Sequence, residues 1–243
     1  MGEAKKIRVK VIPCKIANYF IKKHHYSGKI VNNSSLHFGC FLDNILHGVM
    51  SYGSPLDKSK VIGLVHTNEN KPVLWNEMLE LNRMAFDEVL PKNSESRCIA
   101  ISINLLKKNA PHIKWILSFS DAGQCGDGCI YRASGFYLTG LSKCSIFKNE
   151  KGESYQQVSI SGGGSVAHKE ALRIQYKNKG QYGLVEGFCR EKGLKRIKGY
   201  SLRYIYLIDK NCKFNCEIFP FSKIYEMGAG MYKGENITLD NLN

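Results

Sequence analysis

No run in this sequence approaches the roughly 20 consecutive apolar residues that a membrane span needs, so no integral membrane protein is expected. The first residues, MGEAKKIRVKVIP, lack the apolar core of a secretory signal, and a cytoplasmic location is expected. The nine cysteines are odd in number and scattered, which excludes a compact disulfide framework and predicts reduced thiols. Cys125-x3-Cys129 and Cys212-x3-Cys216 lack zinc-ribbon or zinc-finger spacing and have no nearby histidines, so no metal site is predicted. Internal repeats and a clear linker are also missing. The 243 residues therefore read as one domain, 1–243, with insertions or extensions around 145–180 and 210–243. Acidic residues are scarce as well: 21 Asp+Glu against 35 Lys+Arg leave a net charge of +14, a long-range attraction for polyanions.

What is present reads as a mixture of strands and helices. Ile7–Pro13 alternates like an edge strand, and Cys14–Lys23 has Ile16, Ala17, Phe20 and Ile21 at helical spacing. Leu36–Leu42 and Ile45–Ser51 read as paired strands turning at Asp43-Asn44. Residues Gly53–Asn70 read as a loop, and Val73–Phe86 as one long strand. Cys98–Lys108 fits a helix capped by Ser94 or Ser96 and ended by Pro111. Ile113–Ser120 is a continuous apolar run, hence a buried strand. A glycine-rich turn, a short helix over Cys129–Ser134 and a strand over Phe136–Leu141 follow. Ser161–Ser165 reads as a flexible hinge or backbone-contact loop, Val185–Lys192 as a helix, and Arg196–Asp209 as one strand mixing aromatic and basic residues.

This order, sharpest over Val73–Gly140, resembles the acyltransferase-like GNAT superfamily. The resemblance implies an α+β, GNAT-like fold: a central mixed twisted sheet flanked by helices, with a C-terminal extension. It also implies an anion-binding loop after the central strand, where free N–H groups and a helix dipole meet a pyrophosphate. Here that loop falls at Asn93–Arg97, without the glycine-rich form usual among coenzyme-A users. In Cys129–Phe136 a tyrosine, Tyr131, precedes a Gly-Phe pair by four residues, as the GNAT tyrosine that protonates a leaving thiolate does.

Four ordered segments narrow the resemblance. They are His24-His25-Tyr26-Ser27-Gly28, Glu80-Leu81-Asn82-Arg83-Met84, Glu95-Ser96-Arg97, and Ser118-Phe119-Ser120-Asp121 followed by Gly126…Ile130-Tyr131-Arg132-Ala133. With the aromatic-basic Leu202-Arg203-Tyr204-Ile205-Tyr206, the set resembles the Mom family of phage adenine-modification proteins over Asn18–Leu207. The resemblance implies a transferase that converts adenine in DNA to N6-carbamoylmethyladenine in the bacterial host cytosol, shielding phage DNA from restriction. It implies catalytic roles for Asp121, Tyr131, His25 and Tyr26, and substrate or cofactor binding by Arg83, Ser96, Arg97 and Ser118.

The chemistry gives these residue types a reason. The exocyclic amine of adenine is delocalised into its ring, so a base must take a proton as the new bond forms; Asp121, ending a buried strand, suits that, and otherwise serves as a turn residue. Arg83 interrupts an apolar strand and needs an anion, Asp121 or a carbonyl beside it. His25 and Tyr26 suit stacking on a base flipped out of double-stranded DNA, or the end of a helix. Lys22, Lys23 and Lys29, and Lys195, Arg196 and Lys198, form two basic clusters that suit phosphates or plain solvation.

The donor stays open. A glycyl group on N6 is an isomer of the carbamoylmethyl group, so acyl transfer from glycyl-tRNA followed by rearrangement is one candidate, with tRNA then a partner; acetyl-coenzyme A is another. Iron ranks lower because no clean His-x-Asp spacing is present. The alternatives are a GNAT-type N-acetyltransferase acting on a small amine or protein, and a non-enzymatic DNA-binding protein.

Overall fold

The structure, a computed structural model, describes residues 3–123, 126–162, 164–232 and 235–236. Chain order gives β1 (Arg8–Val11), α1 (Cys14–His24), β2 (Ser34–Leu42), β3 (Ile45–Gly53), β4 (Val65–His66), β5 (Met78–Phe86), α2 (Ser94–Asn109), β6 (Trp115–Asp121), α3 (Cys129–Ala133) and β7 (Tyr137–Lys143). Then come β8 (Ile146–Lys148), β9 (Ser154–Gln156), α4 (Gln157–Ser161), α5 (Val166–Lys177), α6 (Leu184–Glu191), β10 (Lys195–Arg196), β11 (Tyr200–Leu207), β12 (Lys213–Phe214) and α7 (Ser222–Glu226). Seven strands form one mixed sheet in the order β1-β2-β3-β5-β6-β11-β7. The pair β5–β6, joined through α2, is parallel, and the other pairs are antiparallel. This is the expected α+β class.

Alternation along the strands explains the two layers. On one face Ala17, Phe20 and Ile21 of α1 pack on Val49 and Ala85, while Trp115, Leu117 and Ile205 meet Val61, Val65 and Val73 from the long β3–β5 connection. On the other, Cys98, Ile99, Ile103 and Leu106 of α2 pack on Met50, Tyr52, Leu81, Ile116 and Tyr204. The β2–β3 hairpin turns on Asp43 and Asn44, both at positive φ (50° and 65°), as a two-residue turn matched to strand twist requires.

Several sequence expectations are corrected. Residues 94–97 are not a loop: α2 begins at Ser94, because Asn93 at φ 68° turns the chain directly into the helix. Neither serine caps it; Ser94 Oγ donates to Pro91 O, and Ser96 Oγ donates to Asn93 O at 3.2 Å. The strand expected from Val73 starts at Met78, after a 3-10 turn over Trp75–Glu77. Arg196–Asp209 is two strands, broken at Gly199 (φ 127°), whose Cα lies so near Gly123 that an added Cβ would come within 2.4 Å of it. The expected loop 53–70 contains β4, which pairs with β12.

Between the neighbouring strands β7 and β11 the chain builds a lobe with its own apolar cluster: Phe147, Ile160, Ala167, Ala171, Ile174, Phe188 and Leu194. Its three short strands lie in the order β10-β8-β9. The Ser161–Ser165 segment is the turn between α4 and α5; within it Gly163 lies outside the described residues, as does Cys125.

Candidate active site

β5 carries one extra residue against β3. Leu81 pairs with Tyr52, but Arg83 pairs with Ser51, so Asn82 is a bulge. Adjacent residues of β3 face opposite sides, so the bulge reverses the alternation along β5. Glu80, opposite Gly53, and Arg83, opposite Ser51, thereby share the α1 face, where a regular strand would set residues three apart on opposite faces. Burial raises the Glu80 carboxyl to about 7, with Arg83 pulling the other way. Near pH 7 this group exists in both forms, as a proton-transferring carboxylate needs.

His25 closes α1 from the same side. Its pKa is lowered to about 4, by burial first and by the Arg83 guanidinium second. Nδ1 accepts from the Ser27 backbone N–H at 3.1 Å, which places the proton of the neutral ring on Nε2. His25 is thus a neutral hydrogen-bond donor. Its ring lies 4.3 Å from that of Tyr26, which is 52% exposed. Lys29 ties this corner together: its carbonyl accepts from Arg83 Nε at 3.1 Å, and its Nζ donates to Ser154 Oγ of β9 at 3.0 Å. The structure therefore brings His25, Tyr26, Lys29 and Arg83 together, and adds Glu80, whose place in the motif Glu80–Met84 suggests no role by sequence alone.

The pairing of β5 with β6 covers only Met78–Leu81 with Trp115–Ser118, although both strands run further. Past that point they part. Buried Ser118 marks the apex, its hydroxyl donating to Leu81 O at 3.0 Å. Asp121 ends β6, where Oδ1 accepts the Gly123 amide at 3.0 Å. Ser96 and Arg97 lie in the first turn of α2, on the sheet's other face; Arg97 Nη2 donates to Lys5 O at 3.4 Å. The same turn carries Glu95, whose charge opposes an anion there. That end of α2 does not fit a pyrophosphate.

Tyr131 is 8% exposed, its ring centroid 5.5 Å from that of Phe136 and 5.3 Å from that of Tyr204. Next to it buried Asp127 accepts twice from Arg132 Nη2, at 2.9 Å each, and from the Tyr225 hydroxyl at 3.2 Å. This cluster joins α3 to α7. Lys22 and Lys23 are exposed on the last turn of α1, and Lys195, Arg196 and Lys198 are exposed on the lobe, with Arg196 5.2 Å from the Phe147 ring centroid. Among the described residues no three His, Cys, Asp or Glu side chains converge as a metal site requires, and no helix is long and apolar enough to cross a membrane.

A mixed sheet whose one parallel pair of strands parts past Leu81 and Ser118, with α2 joining the two strands, is an acyltransferase-like α+β fold. The chain belongs to the Mom protein family, which it matches over residues 6–223. It is similar to Methylcarbamoylase mom of Escherichia phage Mu, with 31% identity over 226 residues, 90% of this chain and 85% of that one. Among solved structures it overlays a Bacillus subtilis acetyltransferase in complex with CoA (TM-score 0.44, 10% identity, 83% of this chain and 99% of that one). It also overlays a GNAT family acetyltransferase from Elizabethkingia anophelis with acetyl-CoA bound (TM-score 0.44, 12% identity, 83% and 98%). Likenesses this loose say nothing of what the chain binds.

Proposed function

We propose that this protein modifies the N6 amine of adenine in DNA, leaving N6-carbamoylmethyladenine, with Glu80 as the base and His25 as a neutral donor. One observation carries the reading: the Asn82 bulge sets Glu80, with its pKa raised to about 7, and Arg83 on one face beside His25. The name of the phage Mu relative, a methylcarbamoylase, supports the transferred group.

A base inside a duplex is out of reach, so the adenine is flipped, and half-exposed Tyr26 supplies a surface on which it stacks. The bond from N6 to the transferred carbon forms, the bond from that carbon to its carrier breaks, and the N6 proton passes to Glu80. His25 Nε2–H holds the reacting group by a hydrogen bond, and Arg83 keeps enough of Glu80 ionised to work near neutrality. Asp121 acts through the β6 end, which its hydrogen bond to Gly123 fixes. The net charge of +14 suits a polyanionic substrate.

The donor is a carbamoylmethyl carrier, or a glycyl carrier whose N6-glycyl product then rearranges to the isomeric carbamoylmethyl group, and labelled glycyl-tRNA supplied with DNA and pure protein tests the second source. Label appearing in deoxyadenosine identifies that donor; activity from another source without label removes it. The overall reading is tested by mass spectrometry of nucleosides from plasmid DNA in expressing cells, where modified deoxyadenosine is expected with the intact chain and is lost with Glu80→Gln.

A further inference from the structure

The inserted lobe exposes a helix face that a solvated surface does not explain. In α5, Ala167, Ala171 and Ile174 point inward to the lobe's own cluster. At 100° per residue the opposite stripe is Lys169, Leu172, Arg173 and Tyr176. Leu172 is 47% exposed and Tyr176 89% exposed, an unusual use of apolar surface beside two exposed cations. The one acid in α5, Glu170, is bound by Lys192 at 2.9 Å, so no carboxylate of the helix itself offsets the stripe. Over residues 146–198 the sequence carries 11 Lys+Arg and 5 Asp+Glu, an excess of 6.

The helix is held firmly for presentation. Ser165 caps it by accepting the His168 amide at 3.0 Å, and His168 Nδ1 bonds Ile160 O of α4 at 2.9 Å, locking the α4–α5 angle. At β9 the lobe meets the catalytic corner through Lys29 and Ser154, and Lys29 O in turn holds Arg83.

We propose that α5 is a duplex-DNA contact helix lying in the major groove next to the modified adenine, with Lys169 and Arg173 at phosphates or guanine edges and Leu172 and Tyr176 against base edges. Twelve residues span about 18 Å, and the groove, about 12 Å wide, admits a helix. Alternating cations and apolar groups match what that groove offers: acceptors on guanine, methyl groups on thymine, and phosphates at the rim. The inference rests on the reading that DNA is the substrate, and assigns the lobe to recognition of the sequence around the target.

The test is fluorescence anisotropy of the full chain with a labelled 30-base-pair duplex across a salt series, beside sequencing of modified sites in plasmid DNA. Lys169→Ala/Arg173→Ala is expected to weaken binding about tenfold or more and to lower the log K against log salt slope by about 2. Lys107→Ala/Lys108→Ala, a charge-matched pair on α2, is expected to leave both near the unaltered values. Leu172→Ala/Tyr176→Ala is expected to relax the bases preferred around modified adenines, with Tyr176→Phe restoring the preference. If the α5 variants bind and select sites as the unaltered chain does while DNA is still modified, the α5 assignment is overturned and the DNA reading stands. No duplex binding and no modification by the unaltered chain overturns both.

Discussion

Glu80 and Arg83 face the same side of the sheet because Asn82 is an extra residue between them. That relationship sets the ionisation of the site. Burial raises the carboxyl, the guanidinium moderates the rise, and the result is about 7, close to neutrality.

The first prediction concerns rate against pH. With Glu80 as base, the rate rises about tenfold per pH unit below about 7 and levels above it. Glu80→Gln removes that limb and lowers the plateau by roughly 10²-fold or more. The stability consequence has a definite sign. The folded value lies above the ordinary 4.5, so burial costs stability as pH rises from 4.5 to about 7, and the cost is complete above that. Glu80→Gln is therefore expected to be the more stable protein at pH 8, with no such advantage at pH 4, by denaturant titration.

Removing the guanidinium shifts both partners upward. Arg83 lowers the pKa of Glu80 and of His25. In Arg83→Gln the midpoint of that rise moves above pH 7, and activity at neutral pH falls more than activity at pH 9. An unchanged midpoint contradicts the pairing of Glu80 with Arg83.

His25 is expected to stay neutral down to about pH 4, well below an ordinary imidazole, and NMR titration of its ring checks this. Because the folded value is depressed, stability falls as pH drops from 6.5 through about 4. A midpoint near 6.5 contradicts both its burial and its place beside Arg83.

The Asp127–Arg132–Tyr225 cluster gives a stability test away from the chemistry. Asp127 is 3% exposed, and its removal leaves a half-buried guanidinium without its carboxylate. Asp127→Ala is expected to cost about 3 kcal/mol in chemical denaturation. Tyr52→Phe is milder, about 1 kcal/mol, because it removes a single hydrogen bond, 2.7 Å long, to Ser102, which keeps its own bond to Ile99 O. Equal costs for the two contradict the buried ion pair.

Most of the main sheet was legible because its signals are local. Asp43-Asn44 announces a two-residue turn, and the run IKWILSFS announces a strand buried on both faces. His25, Tyr26 and Arg83 lie in ordered motifs, and the structure brings them together. The role of Glu80 was not legible, since a bulge depends on the partner strand's register and leaves no local mark in Glu-Leu-Asn-Arg. The start of α2 was set by the backbone of Asn93, which took the left-handed turn in place of a serine cap. α5 is not legible in the sequence because the small buried residues Ala167 and Ala171 give a weak periodic signal beside exposed Val166, Leu172 and Tyr176.

The central claim is that Glu80 serves as the base for group transfer to adenine N6. Its most direct test is mass spectrometry of deoxynucleosides from plasmid DNA in cells expressing the intact chain, Glu80→Gln or Asp121→Asn at equal soluble levels. Deoxyadenosine carrying a carbamoylmethyl group is expected with the intact chain, a partial yield with Asp121→Asn, and essentially none with Glu80→Gln. Undiminished modification in Glu80→Gln, or unmodified deoxyadenosine with the intact chain, contradicts the claim.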